Sequence, residues 1–131
     1  MNKQTLIYAI EFNMDNHGGI KHLLKNDFNL SELQKNIILI NTDSGVIQIK
    51  ITNTPEFTNE VALISVDSMT PEIVGKAWEI LIGLFIQINE CVWISTYSQQ
   101  HLSQYGETRK VALDNVDGVL LSPKGFDKMI S

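Results

Sequence analysis

Between Thr70 and Asn89 the chain reads TPEIVGKAWEILIGLFIQIN, and the spacing of its apolar residues leaves it few ways to fold. Val74, Ala77, Trp78, Leu81, Leu84, Phe85 and Ile88 return at the steps that a period of about 3.6 residues gathers onto one face, which predicts a helix over 71–88. Ile73, Ile80, Ile82 and Ile86 broaden that face, leaving Glu72, Lys76, Glu79, Gly83 and Gln87 as a narrow wet edge. A helix so apolar needs a broad partner, and a sheet is the one expected. Its start is also well specified. Thr70 is placed to cap it, Pro71 occupies a first-turn position where its missing N–H costs nothing, and Met69 can pack on Val74 across the first turn. Glu72 sits near the positive end of the helix dipole, four residues ahead of Lys76.

Around this helix the pattern is mostly of period two. Leu6, Tyr8, Ile10 and Phe12 alternate with more mixed neighbours and predict a first strand, followed by a turn-rich loop from Asn13 to Gly19. Ile20, Leu23, Leu24 and Phe28 then suggest a short amphipathic helix, with capping signals at Asn29 and Ser31 extending it into a helical turn around Leu30 and Leu33. IILI, NTDSG and VIQIKIT read as a hairpin in which Ile47, Ile49 and Ile51 point inward. Val61 to Val66 is apolar on both faces and so central, and Cys91 to Tyr97 is again strand-like. Ser98 to Thr108 shows no apolar face and reads as a loop or a frayed helical turn. A second hairpin follows, Val111–Leu113, a turn from Asp114 to Gly118 and Val119–Leu121, with Asp117 and Gly118 in good turn chemistry. Ser122 and Pro123 start a last short helix through Phe126 and Met129. The expected class is α+β, a mixed and largely antiparallel sheet of about five to seven strands on one long helix, with a shorter N-terminal helix.

Composition narrows the function classes. With 131 residues and 44% hydrophobic content the chain suits a single domain over 1–131, since two cores would be starved. Glu79, Gly83 and Gln87 interrupt its most apolar segment, and the N-terminal run meets Glu11 without a small-residue cleavage site, so no membrane span and a cytoplasmic setting are expected. Cys91 is the lone cysteine, which excludes an internal disulfide and a multi-cysteine zinc site. It opens an apolar strand and reads as a buried structural thiol. Fifteen acidic residues against ten basic give a net charge of −5, and Arg109 is the one arginine. Nucleic acid is therefore an unsuitable partner, because such affinity comes from clustered Lys and Arg on phosphates. A basic protein surface suits the charge better.

Enzyme signatures are missing: the sequence has no phosphate-cradling glycine loop, nucleophile elbow, paired metal-spaced histidines or cofactor fingerprint. Glu11, Asp15, Asn16, His17, Gly18, Gly19 and His22 include two imidazoles and could in principle seat a metal, but a loop leading into a helix accounts for them more simply. Asp114, Asn115, Asp117 and Gly118 resemble the opening of a calcium loop but lack its alternating oxygens and closing glutamate, and a turn is the better reading. The segment from Trp93 to Arg109 is more informative, because Trp, Tyr and Arg are the side chains that anchor interfaces. A general-base pairing of His101 with Ser95 or Ser98 has no supporting spacing.

These observations lead to a small acidic protein-binding module, of the kind in which an immunity protein or antitoxin covers a basic, toxin-like partner stoichiometrically. Its expected contact residues are Tyr97, His101, Tyr105, Glu107, Arg109, Asp114 and Asp117, with no catalytic residue, metal or cofactor. The alternative is a small-ligand-binding protein or hydrolase-like enzyme with a polar pocket around Tyr97, His101 and Arg109, or the His17 loop. A homodimer, paired through an exposed edge at Val46 to Thr52, is a third possibility.

Overall fold

A computed structural model of the chain describes residues 4–13, 23–24, 30–34 and 36–131. Alternation in sequence becomes eight strands: β1 (Thr5–Phe12), β2 (Leu30–Gln34), β3 (Ile37–Thr42), β4 (Gly45–Thr52), β5 (Glu60–Val66), β6 (Val92–Ile94), β7 (Thr108–Leu113) and β8 (Val116–Leu121). They form one sheet in the order β2-β3-β4-β5-β1-β6-β8-β7, and every neighbouring pair is antiparallel. Besides the helical pair Leu23 and Leu24, three helices among the described residues accompany it: α1 (Pro71–Ile88), α2 (Gln99–Ser103) and α3 (Pro123–Ile130). The class is α+β, as expected.

The bounds of α1 are those its sequence dictates. Thr70 accepts a hydrogen bond from the Ile73 N–H at 3.5 Å, and the helix ends where Asn89 turns left-handed at φ 51° and donates its N–H to the Phe85 carbonyl at 2.7 Å. Ile73, Ala77, Ile80, Leu81, Leu84, Phe85 and Ile88 are buried, packed with Ile7, Tyr8, Ile10, Ile47, Ile49, Ile64 and Val66 from one face of the central strands. A bulge in β1 between Leu6 and Tyr8 turns two consecutive residues, Ile7 and Tyr8, toward this helical side.

The second face is covered differently. Leu6, Ala9, Val61, Leu63, Trp93, Val111 and Leu113 form a smaller core there, so the β7–β8 hairpin leans back over the sheet it belongs to. Trp93 is its centre, fully buried, with its indole Nε1 donating to the Val111 carbonyl at 2.8 Å. Gly118 lies against that ring, and a Cβ on it would overlap the indole. The glycine is needed because the tryptophan occupies its side-chain space.

Several expectations are corrected. Leu30 to Gln34 is a strand, not a helical turn: β3 offers a row of unpaired backbone groups, and Leu30, Ser31 and Glu32 pair with Ile40, Leu39 and Ile38. Pairing outweighs a capping signal in a segment too short to hold a helix alone. That strand brings the total among the described residues to eight where about five to seven were expected, and the sheet, expected to be mixed and largely antiparallel, is antiparallel throughout. Leu23 and Leu24 are helical, but the rest of the proposed N-terminal helix, like the His17 loop, lies outside the described residues. The second hairpin turns at Asp114 and Asn115, both left-handed at φ 49° and 64°, while Asp117 and Gly118 belong to β8. A two-residue loop needs positive φ at both positions, which short polar side chains tolerate. Finally, β4 sits between β3 and β5, so Val46 to Thr52 is no sheet edge. The ends of the sheet are β2 and β7.

Glycine substitutions separate these roles. Gly118→Ala should destabilise by at least about 2 kcal/mol, since the fixed indole must shift. Gly75→Ala, on an exposed turn of α1 with open space around it, should stabilise by about 0.5–1 kcal/mol. Denaturant midpoints of the two variants measure both signs, and equal shifts would refute this account.

Candidate interaction site

Tyr97, His101 and Tyr105 are spaced four apart, and a helical turn between them places all three rings on one side. That turn is α2. Ser98 caps it by accepting from the His101 N–H at 3.1 Å, and Leu102 anchors it in the core. Tyr97 stacks on the His101 imidazole with ring centres 5.0 Å apart and planes 26° from parallel, and Tyr105 meets the same imidazole edge-on at 5.9 Å. Gln104 fixes the ring from behind. Its side-chain nitrogen lies 2.8 Å from the His101 carbonyl and 3.3 Å from Nδ1.

The stack is rooted in the core. Trp78, half-buried on α1, meets Tyr97 edge-on at 6.1 Å, Tyr8 at 5.4 Å and Phe126 at 5.6 Å, while Phe85 meets Phe126 at 4.7 Å. These are the offset geometries that the ring quadrupole favours. One chain of rings thus runs from the buried interior to Tyr97, which is 42% exposed. Sequence reasoning placed Trp78 in the core stripe and missed this second role. Polar ties hold α2 to the start of β7: Gln99 Nε2 donates to Thr108 Oγ1 at 3.2 Å, and the hydroxyls of Ser103 and Thr108 are 2.8 Å apart.

The remaining expected residues spread over the β7–β8 hairpin. Glu107 and Arg109 line a cavity of about 480 Å³ with Cys91, Thr108, Leu120 and Ser122. Asp117 lines a different one, of about 530 Å³, with Lys110 and with Tyr97 at its rim. Asp114 is at the hairpin tip. Tyr97 and Arg109 therefore open onto separate cavities, and Arg109 shares its side of the sheet with Leu120 and Trp93. The serines considered as partners of His101 are committed elsewhere. Ser95 Oγ donates to the Ile7 carbonyl at 3.0 Å, and Ser98 Oγ caps α2. Glu11 accepts from both nitrogens of Asn59 at 3.4 Å.

Cys91 is partly buried, and its thiol is pushed above its ordinary pKa, first by burial and then by the Glu11 and Glu90 carboxylates, with Arg109 pulling the other way. A thiol so placed is a poor nucleophile. Burial likewise raises the Tyr8 phenol. Among the described residues no group of three or more His, Cys, Asp or Glu gathers for a metal ion, and no helix is long and apolar enough to cross a membrane. No family model matches the chain, and neither a curated protein nor a solved structure is significantly similar to it.

The sign of the Cys91 shift sets a pH dependence. Its folded pKa lies above the unfolded value of about 8.5, so its contribution to stability is fully present below that value and is lost as pH rises through the folded pKa. Urea unfolding should show stability declining from neutral pH toward pH 9.5, and Cys91→Ala should flatten the decline. Iodoacetamide should also alkylate the folded chain more slowly than the urea-unfolded one.

Proposed function

We propose that this chain is a protein-binding module, a stoichiometric inhibitor of the immunity-protein or antitoxin kind that covers a basic surface on its partner. The observation that carries the reading is Tyr97, exposed yet held between the edge of Trp78 and the face of His101. An aromatic ring fixed before binding loses little entropy when a partner closes on it, and such rings dominate interface energies. Tyr105 and His101 extend the contact, and Asp114, Asp117 and Glu107 are exposed along the adjoining hairpin. Arg109 and Lys110 are exposed there too, so the hairpin offers both signs for specificity while the net charge of −5 steers approach from a distance. The strand at this end of the sheet, β7, pairs on one side only among the described residues. The single thiol suits the cytoplasm, where such inhibitors act.

An enzyme or small-ligand site at the same place requires Tyr97, His101 and Arg109 to converge on one pocket. The separate cavities of Tyr97 and Arg109 favour the binding reading over that one.

Capture from a lysate of the native host at low salt should recover one partner in stoichiometric amount. Tyr97→Ala should weaken it by about 2 kcal/mol and His101→Ala by about 1, whereas Asp114→Lys with Asp117→Lys should slow association in a salt-dependent way. If Tyr97→Ala, His101→Ala and Arg109→Ala each cost under about 0.5 kcal/mol, the proposed face is wrong.

A further inference from the structure

On the second face of the sheet the tip of the β7–β8 hairpin stands over β1, β4 and β5, and between them lies a cleft of about 480 Å³. The pleat explains its lining. Ile47 and Ile49 of β4 point to the helical core, so Gln48 and Lys50 point the other way, and on β5 Ser65 alternates with Ile64 and Val66 in the same manner. Gln4, just before β1, and Asp114 and Asn115 at the hairpin tip complete six polar side chains from four segments.

Among the described residues their side chains have no hydrogen-bond partner. Gln4 Oε1 is buried without a partner, and Ser65 is the one buried polar residue among the described residues. None of the six side chains forms a hydrogen bond or ion pair with another described residue, whereas Gln99, Ser103 and Thr108 around α2 are bonded to one another. Buried polar atoms without partners are rare in folded chains, and one of them, Gln4 Oε1, facing a concave space of ligand size together with five further side chains free to bond marks a candidate binding site.

The kind of ligand follows from the groups. Gln4 Oε1 and the Asp114 carboxylate need donors, the Gln48 and Asn115 carboxamides and the Ser65 hydroxyl both donate and accept, and Lys50 is a cation with no acidic partner among the described residues. Hydroxyls match the first two sets, because each donates and accepts at once. A single carboxylate matches Lys50. A phosphate fits less well, because the cleft has no arginine or helix N-terminus and Asp114 repels a second negative charge. Leu6 and Leu63 offer an apolar floor for C–H groups. We propose that this cleft binds a small polyhydroxylated carboxylate, a sugar acid, with its carboxylate on Lys50 and its hydroxyls on Gln4, Gln48, Ser65 and the hairpin tip.

The test is an amide-resolved NMR titration of the full chain with D-glucuronate, with D-glucose, acetate and L-serine as comparisons. Millimolar glucuronate should shift the amides of Gln48, Lys50, Ser65 and Asn115, with glucose and acetate each binding at least about tenfold more weakly. Lys50→Gln should reduce glucuronate to the affinity of glucose, and Ser65→Ala should weaken glucuronate and glucose alike. Lys50 is exposed, so its variant should retain the fold, and an unchanged amide spectrum elsewhere verifies that. Shifts that are absent or scattered over the surface overturn the proposal, as does acetate binding as tightly as glucuronate. Tighter binding of L-serine would assign the cleft to an ammonium on Asp114 and overturn it equally.

Discussion

Burial of the α1 stripe against β1, β4 and β5 is the interaction on which the rest of the molecule depends. It seals the first face of the sheet with isoleucine, leucine and phenylalanine, and it leaves half of the sheet's surface to be covered some other way. The same stripe sets the position of the surface site, because Trp78 belongs to it. A half-buried tryptophan at the margin of a packed helix is held by the core on one side and presents a ring edge on the other. Tyr97 is ordered because Trp78 is, and Trp78 is ordered because α1 cannot rotate without exposing Leu81 and Leu84.

Cover for the second face comes from the sheet itself. The β7–β8 hairpin folds back over Leu6, Val61 and Leu63, and Trp93 fixes how far, through its bond to the Val111 carbonyl and its contact with Gly118. A hairpin with a side chain at position 118 would be held off the ring. The hydrogen bond and the packing thus specify one hairpin placement together, and neither group would be comfortable alone: the buried indole N–H needs an acceptor and the glycine needs a neighbour to fill its space.

Local signals in the sequence were legible, and signals that depend on distant partners were not. The bounds of α1, its cap at Thr70 and its Pro71 start follow from neighbours within a turn, and so do the β3–β4 hairpin and the Ser122–Pro123 start of α3. The strand β2 was not legible because its identity comes from β3, whereas its own residues carry capping letters. The turn, expected over Asp114 to Gly118, is confined to Asp114 and Asn115, since Gly118 looks like a turn glycine until Trp93 is placed upon it. Of the residues grouped in the candidate site, Tyr97, His101 and Tyr105 do share a face. The signal was the spacing of four after a capping Ser98, too short a segment for apolar periodicity to reveal. Arg109 was grouped with them by proximity in sequence, but strand alternation turns it to the other side.

That alternation has a consequence for the hairpin as a whole. Asp117 and Gly118 wall the cavity at Tyr97, while Asp114, Asn115 and Val116 wall the cleft above Ser65. One two-stranded element therefore forms a side of both spaces, with Trp93 as its contact to the core. The contact of Trp93 with Gly118 and the Val111 carbonyl thus sets where the wall of both spaces stands.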